Sequence, residues 1–337
     1  LGIIETLWKR KPKHFRFKLL MAAMSLAVGL ALLEGLAWWI DVADPPIFHS
    51  HPAYGFLMQP NQSVATRGKR FRINWAGLRG EDFAMPKPPG TLRIAFLGDS
   101  VTYGGGSVRD EDLFVNRVIG SLDLLTTPRL EAVNISAPGW GVSNMAGFVN
   151  AVGLFDSDLL VWVISAADLR RPYTEMAHYR FLTEKPMSRV YYAAWTSAHK
   201  LVDAFRRARQ SPERALGRVE VLEENVRVLR ATLAELRAKS VRVAVVLVPG
   251  VRGYDSRQDV ARFLAAAEDC GTPFLDTAAA FTGKQLRAAY IDDIHLSAEG
   301  HAIVAGAIGP FLGEHFFFPR QPRASGTVPA ACLAPQE

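Results

Sequence analysis

The chain has 337 residues, enough for one sizeable α/β domain with additions or for two small domains. Hydrophobic residues make up 49% and charged ones 21%, with a mean hydropathy of +0.07, a balance that excludes a wholly disordered chain. The formal net charge of +6 does not mark a nucleic-acid binder, because much of the excess sits in one N-terminal cluster without an interleaved aromatic platform.

That cluster, WKRKPKHFRFK, occupies the basic flank 1–18 and is followed by an apolar run over 19–40. As a helix the run spans about 33 Å, enough to cross a bilayer core. Trp38 and Trp39 stand where an interfacial aromatic anchor is expected, and Asp41 opens a polar segment. The positive-inside rule places the N-terminus in the cytoplasm and the rest outside, as a single-pass protein. A cleaved signal peptide is the rival, but the run is long for one and no small-x-small site precedes Pro45. Glu34 is costly inside a span; near its outer end it can snorkel or pair with another helix.

Residues 41–90 are Pro-rich and read as a linker and lead-in, with a strand-like GKRFRINWAGLRG. His14, His49 and His51 have no ligand partner at useful spacing and read as surface residues. Continuous apolar runs then alternate with helical patterns: LRIAFL, LEAVNIS, SDLLVWVIS, VRVAVVLVP and TPFLDT. Runs of this kind indicate strands buried on both faces in a parallel sheet of about five strands. An insert at about 169–240 interrupts the alternation. Its end carries Val219, Leu222, Val226, Leu229, Leu233 and Leu236 as one helical stripe, too short for a coiled coil and suited to packing on the sheet. Its Arg170, Arg171, Arg206 and Arg207 read as a solvated face before they read as a glycan-binding patch. A helix from Ser297 to about Leu312 closes the domain, and 314–337 reads as a disordered tail. Cys270 and Cys332 form no metal motif, and with Cys332 in that tail a disulfide is not expected.

The chemistry concentrates where the first of these strands stops, at GDSVTYGGG. A P-loop needs a lysine after its glycines, and a dinucleotide site needs Gly-x-Gly-x-x-Gly at the strand end; neither is present. An exposed nucleophile, Ser100, requires a histidine base and a carboxylate to orient it. YIDDIHLSAEGH supplies both: Asp292 lies three residues before His295, in a loop preceding the last helix. Asp293 is the alternative orienter, while His301 reads as helix surface or packing.

GDSVTYG around Ser100 and DDIHLSAEGH resemble the first and last sequence blocks of the SGNH (GDSL) hydrolases, in that order and about 190 residues apart. The likeness covers 91–313 and implies a flavodoxin-like three-layer α/β/α fold and a serine esterase, lipase or deacetylase without cofactor or metal. INWAGLRGEDF resembles the lead-in of membrane-anchored members from bacterial envelopes. NISAPGWG resembles the second block, which assigns the backbone N–H groups of Gly139 and Ser100 to an oxyanion hole. In the third block, normally Gly-x-Asn-Asp, the chain has Ser165, Ala167 and Asp168. Alanine cannot donate a hydrogen bond; Ser165 or Asn144 is the candidate substitute donor, and Asp99 and Asp168 are supporting residues.

These residues together imply an enzyme of the bacterial inner membrane with a periplasmic or extracellular domain. It would hydrolyse or transfer acyl esters of envelope or exported polysaccharide, with a carbohydrate or lipid substrate and no nucleic-acid partner. The alternative is a weak or inactive carbohydrate-binding scaffold in an envelope assembly.

Overall fold

The computed structural model describes residues 13–40, 44–66, 69–123, 129–176, 181–208, 214–281, 285–317 and 328–333. The chain divides into two compact units, one comprising 1–44, 65–68 and 186–209, the other 45–64, 69–185 and 210–337.

The larger unit is built on five parallel strands: β5 (Thr91–Gly98), β6 (Arg129–Ser136), β7 (Leu159–Ser165), β8 (Arg242–Val248) and β9 (Phe274–Asp276). Four short strands precede them, β1 (Phe48–His51), β2 (Gly55–Met58), β3 (Gln62–Thr66) and β4 (Lys69–Ile73), in two two-stranded ladders. The order β6-β5-β7-β8-β9 is the 2-1-3-4-5 arrangement of flavodoxin-like sheets. Every residue of β7 is buried, as a strand covered on both faces by helices must be. The five strands expected from the apolar runs are thus the five observed.

One face is covered by the helices Phe114–Asp123 and Ala298–Leu312, which bury Phe114, Val118, Val304 and Ile308 with Ile94, Phe96 and Val161. The other is covered by Val142–Ala151, Arg214–Ala238 and Arg257–Asp269. The stripe Leu222, Val226, Leu229, Leu233 and Leu236 packs there against the sheet, while Val219 is exposed.

Residues 45–64 and 69–90 are more than a linker. Phe56, Met58, Ile73 and Leu78 are fully buried and belong to the same core as the sheet, so removing this lead-in would strip one face of it. The C-terminal tail also departs from expectation. Residues Ala330–Leu333 form a helical turn, Cys332 is buried, and its sulfur is bonded to that of Cys270. A polar, Pro-bearing sequence hides such an anchor because one covalent bond replaces the apolar burial that composition would reveal.

In the smaller unit the helix Lys13–Trp39 runs about 40 Å. It is long and apolar enough to cross a membrane, and its apolar window is entirely unburied. The other helix is Arg189–Ala208, from the insert. The Glu34 carboxylate accepts from the backbone N–H groups of Arg189 (2.7 Å) and Val190 (3.2 Å), from Ser188 Oγ (2.8 Å) and from Trp38 Nε1 (3.0 Å). Of the two readings open for Glu34, pairing with another helix is the one observed.

Candidate active site

The segment around Ser100 explains its own sequence. Gly98 ends β5 where a Cβ would lie 2.0 Å from Thr102 Oγ1, so only glycine lets the next turn fold back. Asp99 caps that turn by accepting from Val101 N–H (2.8 Å), and Ser100–Tyr103 form one helical turn. As its first residue, Ser100 has a backbone N–H with no acceptor inside the turn. Gly104 terminates it at φ +79°, where a Cβ would also meet Leu113 Cδ2 at 2.1 Å. Gly104 therefore serves the backbone.

Ser100 is nearly buried, and its Oγ lies 2.9 Å from His295 Nε2. His295 Nδ1 lies 2.7 Å from Asp292 Oδ2, while Asp292 Oδ1 accepts from the N–H groups of Ile294 (3.0 Å) and His295 (2.8 Å). Burial pulls the Asp292 carboxyl upward, but those N–H groups and the His295 ring together hold it below the usual carboxylate range. With one ring nitrogen on a carboxylate, the other is free to take a proton from Oγ. Asp293 makes no such contact; its backbone carbonyl accepts from Val251 N–H.

Behind Ser100 lies a buried polar cluster. Ser165 Oγ is 3.0 Å from both Asp99 Oδ2 and Asp168 Oδ2, and Asp168 Oδ2 also accepts from Ser165 N–H (2.9 Å). Arg171 stands 3.4 Å from Asp168 and 3.6 Å from Asp99, and donates to the Trp140 carbonyl (3.1 Å). Burial and the neighbouring Asp99 charge push the Asp168 carboxyl well up, against the opposing pull of Arg171 and Ser165. One guanidinium thus joins the loops carrying Asp99, Trp140 and Asp168.

Gly139 precedes Trp140 at φ +92°, a conformation that favours glycine. Ala167 opens the single turn Asp168–Arg170 and brings no donor. Neither candidate substitute is free. Asn144 is fully buried, with its amide N–H groups on the carbonyls of Tyr54 (3.1 Å) and Thr174 (2.8 Å); the Ser165 hydroxyl is held between two carboxyls.

The insert arginines do not line a solvated face either. Arg170 forms a two-pronged pair with Asp259, and Arg171 is mostly buried in the cluster just described. The side chains of Arg206 and Arg207 lie outside the described residues.

His301 is a packing residue. Its Nδ1 accepts from Phe114 N–H (3.2 Å), its ring stacks on Phe114, and burial with two nearby arginines lowers its pKa to about 3.

Sequence reading missed Arg79. Its guanidinium, wholly buried, donates to the carbonyls of Tyr103, Gly105 and Val108 and pairs with Asp110 at 2.7 Å, holding the loop after Ser100. Its only signal was its place in INWAGLRGEDF. Among the described residues no group of three or more His, Cys, Asp or Glu side chains is placed to hold a metal ion.

The chain is similar in structure to acetylxylan esterase Axe2 from Geobacillus stearothermophilus, at 21% identity and a TM-score of 0.45, over 66% of this chain and 95% of that one. A Bacteroides fragilis protein described as an acylhydrolase matches at 14% identity and a TM-score of 0.39, over 68% and 88%. No protein of curated function matches the chain. The model of the GDSL-like Lipase/Acylhydrolase family matches residues 96–303, well over half of the sequence. From strand-end serine to histidine loop, this chain is a member of the GDSL-like lipase/acylhydrolase family and an ester-bond hydrolase.

Proposed function

We propose that the protein is a membrane-anchored, extracytoplasmic serine esterase or O-acyltransferase acting on acyl esters of envelope or exported polysaccharide. The observation that carries the chemistry is the Ser100–His295–Asp292 relay, with steps of 2.9 and 2.7 Å. Ser100 Oγ attacks the ester carbonyl while His295 Nε2 takes its proton. Asp292 holds the ring and stabilises the imidazolium. The N–H groups of Ser100 and Gly139 receive the oxyanion. His295 returns the proton to the departing alcohol, and water or a sugar hydroxyl then takes the acyl group.

Ala167 leaves this oxyanion hole one donor short of the family pattern. The loss of such a donor typically costs about 10²–10³ in rate. Against that background, the position of Arg171 matters: it fixes the Trp140 carbonyl next to Gly139 and so positions the remaining hole.

Anchoring is supported by the apolar helix and its N-terminal basic flank. An oxidising compartment is supported by the Cys270–Cys332 disulfide.

The full chain in detergent, given p-nitrophenyl acetate and an O-acetylated polysaccharide with and without an acceptor glycan, tests the reading. Release or transfer of acetate abolished by Ser100→Ala is the expected result. Equal turnover in wild type and Ser100→Ala would sink it. Ala167 favours one second reading, a weakly active or inactive glycan-binding scaffold, which predicts glycan binding without Ser100-dependent turnover.

A further inference from the structure

On the proposed anchoring, which the following rests on, the helix Arg189–Ala208 meets the membrane span at Glu34. Glu34 lies five residues, about 8 Å along the axis, before Trp39 at the end of the apolar helix. A lone carboxylate there is costly in a membrane. Here it is met by donors from the start of the other helix: the N–H groups of Arg189 and Val190 and the hydroxyl of Ser188. The first N–H groups of a helix have no internal acceptor and carry partial positive charge, so a carboxylate is their natural cap. Arg189 adds a stack over the Trp38 ring, 4.1 Å from its centroid. The start of Arg189–Ala208 is therefore fixed below the outer end of the span, and the insert returns the chain to membrane depth.

The orientation of that helix is the second observation. Arg189, Val190, Tyr192, Ala193, Trp195, Thr196 and His199 are buried or half-buried, whereas Tyr191, Ala194, Ser197, Ala198 and Leu201 are exposed. At 100° per residue the exposed five share one side. A helix on a soluble core turns its apolar stripe inward; this one leaves Tyr191, Ala194, Ala198 and Leu201 facing outward. Met187, in the turn just before, is fully exposed.

We infer that Arg189–Ala208 is a second membrane-contacting element, lying with its apolar stripe in the outer interfacial zone of the bilayer. The lipid is indicated by continuity, because Leu30, Leu33, Trp38 and Trp39 of the apolar helix to which it is capped expose the same kind of surface. Charge agrees: Lys200, Arg206 and Arg207 follow in the sequence, the composition that suits anionic headgroups. The insert thus serves as a foot on the membrane, and the protein is held at two places.

The test uses the full chain in nanodiscs of phosphatidylethanolamine and phosphatidylglycerol. Both native cysteines are joined, so one introduced thiol carries an environment-sensitive fluorophore at Leu30→Cys, Ala198→Cys or Leu201→Cys. Nitroxide-labelled lipid is the quencher. Quenching at 198 and 201 within about a factor of two of that at 30 is expected. Glu34→Leu should keep the signal at 30 and lose that at 201. Quenching at 30 but not at 198 and 201 overturns the inference, whether those sites are wet or covered by another protein. No quenching at 30 means that the anchoring itself has failed, and the inference falls with it.

Discussion

Asp99 and Asp168 share a single hydroxyl: Ser165 Oγ stands 3.0 Å from a carboxyl oxygen of each. A hydroxyl has one proton to give, so it donates to one of the two at a time, while Asp168 Oδ2 also accepts from Ser165 N–H. Burial and the neighbouring Asp99 charge raise the Asp168 carboxyl, which favours its protonated form more than in a free carboxyl.

The pH dependence follows in sign. A carboxyl whose pKa is higher folded than unfolded holds its proton more tightly in the native state. Its contribution to stability is whole below the unfolded pKa and is lost as pH rises through the folded one. Asp168→Asn, which mimics the protonated form, should flatten this decline. Urea midpoints measured from pH 5 to pH 9 check it, and parallel curves for variant and wild type would refute the raised Asp168 carboxyl.

Asp292 has the opposite sign. Its lowered carboxyl contributes stability above the unfolded pKa, and that contribution fades as pH falls through the folded one. Asp292→Asn should also reduce kcat by about 10³–10⁴, because the ring loses the acceptor that fixes its tautomer. Asp293→Asn should change kcat less than about threefold, since only its backbone is engaged. Ester hydrolysis by the two variants, compared side by side, separates the orienters.

Ala167→Asn should raise kcat by about 10²–10³ if its amide reaches the oxyanion, with little change in KM. A fall in KM at constant kcat would instead place residue 167 on the substrate's ground state, toward the small cavity it lines.

Removing the disulfide by Cys332→Ser should lower stability by about 2–4 kcal/mol. Denaturant midpoints of oxidised and reduced protein give the same comparison without mutation, and coincident midpoints would contradict it.

Much of this was legible in the sequence, and the rest was hidden for physical reasons. The sheet was visible because strands buried on both faces must be continuously apolar, as LLVWVIS is. Ser100, Asp292 and His295 were visible because their spacing is local to each motif. What stayed hidden depends on distant partners. Arg79 looks like any lead-in arginine until the loop 103–110 closes over it. Asn144 reads as a spare donor until Tyr54 and Thr174, far away in sequence, occupy its amide. Arg171 passes for a solvated charge because nothing in its neighbourhood names Asp99.

The bond between Cys270 and Cys332 closes a ring 62 residues around, and Asp292 and His295 lie inside it, while Ser100 lies outside. One half of the relay is thus stapled by oxidation and the other is not. On the proposed topology the staple cannot set until the chain has left the reducing cytoplasm. Export would then act as a maturation step, and a thiol reductant would reach the histidine loop without touching a single residue of the active site.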